Sequence, residues 1–180
     1  MVFGRSRRSQ SQIAAEALHD ALIAIVRRPA FYLGYGALDT FQGRFDLFVL
    51  LAAVPLRRLR GLGPEGQEIA QHLVDTMFAR FDIAMRELGV SDVGVPKRMK
   101  KLAEAFKGRT AAYDEALGRA DRQELSAAIS RNVLDETSGG ERLSSYILEA
   151  DAAFTRLSLD ELRSGVLPFP TLAEDGPERP

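Results

Sequence analysis

Cysteine and tryptophan are absent from the 180 residues, and histidine occurs only twice. Without cysteine there is no disulfide, no thiolate nucleophile, no iron–sulfur cluster and no Cys-ligated zinc. The chain also lacks a glycine-rich loop followed by Lys-Ser/Thr, a dinucleotide-binding fingerprint and a nucleophile elbow. His19 is followed by Asp20, and His72 lies three residues before Asp75, but neither pair belongs to a zinc or di-iron spacing. No catalytic residue, metal or cofactor is expected, and the chain reads as a non-enzyme. A long hydrophobic run is missing too. The longest, Leu47–Leu56, is half the ~20 residues that a spanning helix needs, so it reads as a buried core helix. The expectation is a soluble cytoplasmic protein, at most peripheral at the inner membrane. Charge of one sign is not in excess either, with 24 Lys and Arg against 25 Asp and Glu. No overall field draws the chain to nucleic acid, and DNA is not an expected partner.

What is present is an ordinary apolar content, 46%, at a length that supports one domain with its own core. The apolar pattern is helical nearly throughout, and no alternating β run occurs. Ile13, Ala14, Ala17, Leu18, Ala21, Leu22, Ile25 and Val26 recur at helical spacing until Pro29. An aromatic connector, Phe31 to Gly36, follows. Asp39 or Thr40 then caps a helix reaching about Arg60, with Pro55 expected to kink or divide it. Pro64 opens a strongly amphipathic helix to Leu88, with Gly89 as its stop. A helix over 95–107, a break at Gly108 and a short helix over 110–117 come next. Asp121 with Glu124 caps a helix reaching Leu134. Thr137–Gly140 is a turn, Glu141–Leu157 a further helix, and Ser158 starts a last helical turn. The reading is an all-α, compact multi-helix bundle. Residues 1–10 are expected as a flexible basic tail, 11–165 as the helical domain, and the proline-rich, acidic 166–180 as an extended or disordered tail. Leu73, Met77, Phe81, Leu102 and Phe106 are expected in the core.

Two clusters carry chemistry. Between 95 and 109 stand six bases, Lys97, Arg98, Lys100, Lys101, Lys107 and Arg109, against Glu104 alone. At about 100° per residue, Val95, Met99, Leu102, Ala103 and Phe106 share one arc and the lysines with Arg98 take the other. This is either a solvated basic face or a docking face for an acidic protein, RNA phosphates or anionic lipid headgroups. Lys97, Arg98, Lys100, Lys101 and Arg109 are the candidate contact residues. The second cluster surrounds Gly43 and Arg44, both unusual at a helical onset. Close packing at Gly43 with Arg44 paired to Asp39 or Asp46 is one reading. A client-binding aromatic groove of Phe31, Tyr32, Tyr35, Phe41, Arg44 and Phe45 is the other.

Phe31-Tyr32, Asp39-Thr-Phe-Gln-Gly-Arg-Phe-Asp46, Gly66-Gln67, Phe78-x-x-Phe-Asp82, Arg86-Glu-Leu-Gly-Val90, Val95-Pro-Lys-Arg-Met-Lys, Ala105-Phe-x-Gly-Arg109 and Asn132-Val133 occur in this order. Together they resemble the ubiquinol–cytochrome c chaperone family, with one departure at Lys107, where the family usually has an aromatic. The resemblance implies a chaperone for cytochrome b, or another subunit, of the respiratory bc complex, with ribosome contact, and the basic residues themselves add a membrane surface as a candidate partner. Two other readings stay open: a peripheral membrane protein holding a lipid or quinone in the same groove, and an RNA-associated adaptor.

Overall fold

Ser9 opens the first helix with a capping box, its hydroxyl accepting from the Gln12 backbone while the Gln12 side chain accepts from the Ser9 backbone. The computed structural model describes residues 9–134 and 139–172. Among them the order is α1 (Gln10–Val26), α2 (Ala30–Leu33), α3 (Phe41–Arg60), α4 (Gly63–Glu87), α5 (Gly94–Gly118), α6 (Arg122–Ile129), α7 (Glu141–Phe154) and α8 (Leu159–Arg163). A π-helical turn, Ser130–Leu134, prolongs α6. No strand occurs among the described residues, and the architecture is an all-helical bundle. The expected turn at Thr137 and most of both expected tails lie outside the described residues.

Helix α3 is the axis. Every residue from Phe45 to Leu56 is buried, and α1, α4, α5 and α7 all pack on it. Its start is set locally: the Thr40 hydroxyl accepts from Gly43 N at 2.9 Å. Gly43 is required there, because a Cβ would collide with the Leu38 carbonyl oxygen. Pro55 does not divide α3. The helix continues through the missing N–H to Arg60, with fully buried Leu51 and Leu59 one turn either side of Pro55. Gly89, at φ +79°, closes α4 as its sequence position suggests.

Three expectations need correction. Gly108 does not break the chain, and α5 runs unbroken to Gly118. The isolated propensity penalty, about 0.8–1.0 kcal/mol for glycine, is overridden because Thr110 and Tyr113, just beyond it, are buried. Helix α7 ends at Phe154, three residues early, where Leu157 turns in to the core and its carbonyl accepts two bonds from Arg58. Phe81 and Phe106 are half-buried, whereas Leu73, Met77 and Leu102 are core. Residues 166–172 are extended, one of the two alternatives expected for this tail, and they pack on the bundle: Leu172 is buried and Phe169 stacks on Tyr146 at 6.0 Å.

Two stability outcomes follow. Gly43→Ala forces the α3 entry apart and should destabilise by about 1–3 kcal/mol. Gly108→Ala, which meets nothing within 4 Å, should stabilise by about 0.5–1 kcal/mol. Urea unfolding of the pair checks both signs. The second outcome concerns His19, buried against Phe48 with ring centroids 5.5 Å apart and its Nε2 unpartnered. Burial lowers its pKa from 6.5 by more than the Asp20 contact raises it, and Arg80 pushes the same way as burial. The unfolded chain therefore binds the proton first as acid is added, so stability is intact above pH 6.5 and falls below it. Urea midpoints measured on both sides of that value should differ for the wild type and differ less for His19→Leu.

Candidate functional site

The six residues expected to line one aromatic groove separate into two groups. Phe31 is fully buried and meets Tyr146 edge-on at 5.6 Å, with Tyr35 at 6.0 Å from Phe31. The other side of Tyr146 is stacked by Phe169, so the chain's own final described segment occupies this aromatic cluster. Phe45 is also fully buried, and with Phe41 and Phe48 it surrounds the Phe81 ring at 5.0–6.1 Å. Phe31 and Phe45 are thus core residues, because the α3 axis draws both inward. Phe41 and the two tyrosines remain half-exposed.

Arg44 serves the entry to α3. Its Nε donates to Asp39 Oδ1 at 2.7 Å, and its guanidinium lies 5.7 Å from the Tyr32 ring centre. The Tyr32 hydroxyl in turn donates to the Val26 carbonyl at 2.7 Å. Sequence reasoning missed the matching clamp. Arg142 of α7 stacks over Tyr35 at 4.3 Å and donates to the Gly34 carbonyl at 3.1 Å. No sequence signal points to it, since 108 residues separate donor and acceptor.

Arg109 leaves the basic surface altogether. It turns inward to an ion pair with Asp46 of α3, which also accepts from Gln42 at 2.7 Å. Tyr113 and Asn132 lie beside this pair, and burial pushes the Tyr113 phenol far up, outweighing Asn132 and Arg109, which lower it. The Gly-Arg109, Asp46 and Asn132 pieces of the sequence therefore meet in one buried polar cluster between α3, α5 and the π-helical turn.

Where α3 begins, α4 ends and α5 begins, a groove of about 430 Å³ opens. Phe41, Met85 and Leu102 supply its apolar floor, Thr40 and Gln42 one wall, and Arg98 and Lys101 the opposite rim. Both cations are exposed, and among the described residues neither has an ion-pair partner. Lys97 and Lys100 stand exposed further round the same helix. An apolar floor under a cationic rim suits an apolar segment flanked by acidic groups. The structure thus brings Phe41 together with Arg98 and Lys101, and leaves Phe31, Phe45 and Arg109 inside. A second cavity, about 410 Å³, lies at the far end of α3. Arg57 there bridges Asp114 at 3.0 Å and Asp151 at 3.6 Å, joining α3, α5 and α7. Burial raises the Asp151 pKa, against the lowering effect of Arg57.

Residues 34–169 match the family described as Ubiquinol-cytochrome C chaperone. A crystal structure of the Cbp3 homolog from Brucella abortus is similar in fold, with TM-score 0.79 and 32% identity over 91% of this chain and 92% of that one. Comparison with curated proteins gives no significant match.

The polar cluster generates a stability test. Asp46→Asn and Arg109→Ala should each lower unfolding free energy by about 1–3 kcal/mol, because the part-buried ion pair between α3 and α5 is lost. The double variant should lose less than the sum of the two. Lys97→Glu, on the exposed face, should stay within about 0.5 kcal/mol of the wild type. Urea unfolding of the four proteins reads all three statements.

Proposed function

Since this chain belongs to the ubiquinol-cytochrome C chaperone family, and is thus a non-enzymatic assembly chaperone of ubiquinol–cytochrome c reductase, we propose that its client is cytochrome b, held by an apolar segment in the groove between α3, α4 and α5. The observation that carries this reading is the groove itself: Phe41, Met85 and Leu102 under Arg98 and Lys101, which have no ion-pair partner among the described residues. Apolar client residues displace water from the floor, which gives affinity. Acidic client residues meet the rim, which speeds encounter and sets orientation. Two of the sequence blocks that carry the family resemblance supply this groove: Asp39–Asp46 gives Thr40, Phe41 and Gln42, and 95–100 contains Arg98.

The groove also suits the size of the contact. Among the described residues no helix is long and apolar enough to cross a membrane. Contact with an apolar client therefore falls to a surface feature, and a groove of about 430 Å³ holds a few side chains rather than a whole transmembrane helix. A short apolar turn or helix end with an acidic neighbour is the fitting segment.

Reversing both rim cations, Arg98→Glu with Lys101→Glu, should leave the melting temperature nearly unchanged, because exposed charges contribute little to stability. Retention of cytochrome b from detergent-solubilised membranes should drop tenfold or more, about 1.4 kcal/mol. Wild-type retention should also weaken as salt rises, since the attraction is screened over ~8 Å at physiological salt. Equal melting together with equal retention of cytochrome b would overturn the reading.

A further inference from the structure

The turn between α4 and α5 holds two large apolar side chains out in solvent. Leu88 is 66% and Val93 88% exposed. Neither position is a loose end. Gly89 takes the left-handed conformation at φ +79°, its N–H donating to the Arg86 carbonyl at 2.9 Å. The Ser91 carbonyl accepts from both Gly94 N and Val95 N, at 2.8 and 3.0 Å. Asp92, the acid in this turn, is already engaged by Arg86 at 2.5 Å, and Arg86 also holds Asp82 at 2.7 Å. A hydrogen-bonded turn, whose one Arg86 is shared between Asp82 and Asp92, thus presents two aliphatic groups to water, where they gain nothing.

Val93 also begins the outward face of α5. Its backbone is already helical, φ −77° and ψ −29°. At about 100° per residue, Val93, Lys97, Lys100 and Lys107 fall within an arc of about 80°, opposite the inward Val95, Leu102 and Tyr113. All four are exposed, and among the described residues the three lysines have no ion-pair partner. Glu104 shares this face, and Glu87 stands on the last turn of α4. On α5 itself the three lysines outnumber Glu104, while the turn, with Arg86 between Asp82 and Asp92, carries one negative charge in excess.

We propose that this face docks on an anionic phospholipid bilayer, with Leu88 and Val93 entering the acyl boundary and Lys97, Lys100 and Lys107 over the headgroups. Aliphatic side chains beside lysines match the chemistry of an interfacial surface, where apolar insertion and electrostatic attraction add. The side-chain types argue against RNA on the same face. Stacking platforms need exposed aromatics, and the nearest ring, Phe106, is half-buried edge-on against Phe78 at 5.5 Å. Lysines act as point charges on a diffuse anionic surface, whereas planar, bidentate phosphate recognition favours arginine. The docking face is distinct from the groove, whose rim is Arg98 and Lys101. It would leave the groove beside the bilayer surface, where a membrane client emerges.

Sedimentation of the full chain with vesicles tests this. Wild-type protein should pellet with phosphatidylcholine vesicles containing phosphatidylglycerol and stay in solution with phosphatidylcholine alone. Lys97→Glu/Lys100→Glu/Lys107→Glu should weaken partitioning at least tenfold, and Leu88→Ser/Val93→Ser should weaken it several-fold at unchanged salt. Arg98→Glu/Lys101→Glu, the client-groove variant, should still pellet more than the triple variant, which separates the two surfaces. Thermal melts show that each variant is folded. Failure of the wild type to pellet with anionic vesicles would overturn the proposal. So would equal pelleting of the lysine variant, or of the Leu88/Val93 variant. Retention of the wild type on RNA but not on anionic vesicles would assign the face to nucleic acid instead.

Discussion

A helix buried on all sides has no face on which to leave a charge, and α3 is such a helix from Phe45 to Leu56. Its one carboxylate in that stretch, Asp46, sits at the first turn of the buried run and must be met from inside. Arg109 does this from α5, with Gln42 as the second donor. A buried ion pair adds little net stability over a well-packed apolar pair, but an unmatched partner is severely destabilising. The pair therefore acts on register more than on total stability: α5 seats in the rotation that delivers Arg109 to Asp46. Given that rotation, helical periodicity decides the rest. Leu102 and Tyr113 face the core, Phe106 meets Phe78, and the lysines face out.

The groove is a consequence of the same constraint. Its floor residue Leu102 lies about two turns from Arg109 along α5, and Phe41 lies just over one turn before Asp46 along α3. Seating the pair brings these two helix starts together with the end of α4. The α3 start is itself fixed by short-range devices: the Thr40 cap, the close approach at Gly43, and Arg44 between Asp39 and Tyr32. Arg44 is about half exposed, so its ion pair contributes only on the modest scale of surface pairs. Its role is to hold the connector near Val26 through Tyr32, while Arg142 does the same through Tyr35 from the opposite side.

How much of this was legible in the sequence follows the range of each interaction. Thr40, Asp121 and Ser158 act on residues three positions away. Asp121 caps α6 as expected, Thr40 is the one of the two α3 candidates that caps, and Ser158, expected to start the last turn, caps it. Gly89 ends α4 for a similarly local reason. The all-α bundle was readable because the 3.6-residue period is itself local. Arg109 was misread because its partner is 63 residues distant, and at that range pattern sees only one more base after four lysines and an arginine. Gly108 misled in the same way: its propensity is a local fact, but the packing of Thr110 and Tyr113 that overrides it is not. The aromatic groove failed through a different ambiguity. Composition does not tell a ring that lines a surface from one that fills a core, and Phe41 differs from Phe45 by one turn of one helix. Arg57 with Asp151, and Phe169 on Tyr146, left no sequence signal at all.

The family-like blocks consequently divide between two duties that the sequence presents as one. Asp46 and Arg109 form the part-buried joint, with Asn132 near it beside Tyr113, while Gly43 serves the close approach to Leu38 at the α3 entry. Phe41 and Arg98 stand where a partner can reach them. The departure at Lys107 sharpens this division. The position is exposed on the outward face of α5, with Gly108 beside it meeting no neighbour. An aromatic there would have no core contact to make, so its replacement by lysine leaves the joint intact and changes only what the outer face offers. In this chain that face offers charge. One helix thus carries three separate surfaces at fixed angles, an inner seam for the fold, an edge for the groove and an outer stripe of lysines. The Asp46–Arg109 pair sets the angle for all three.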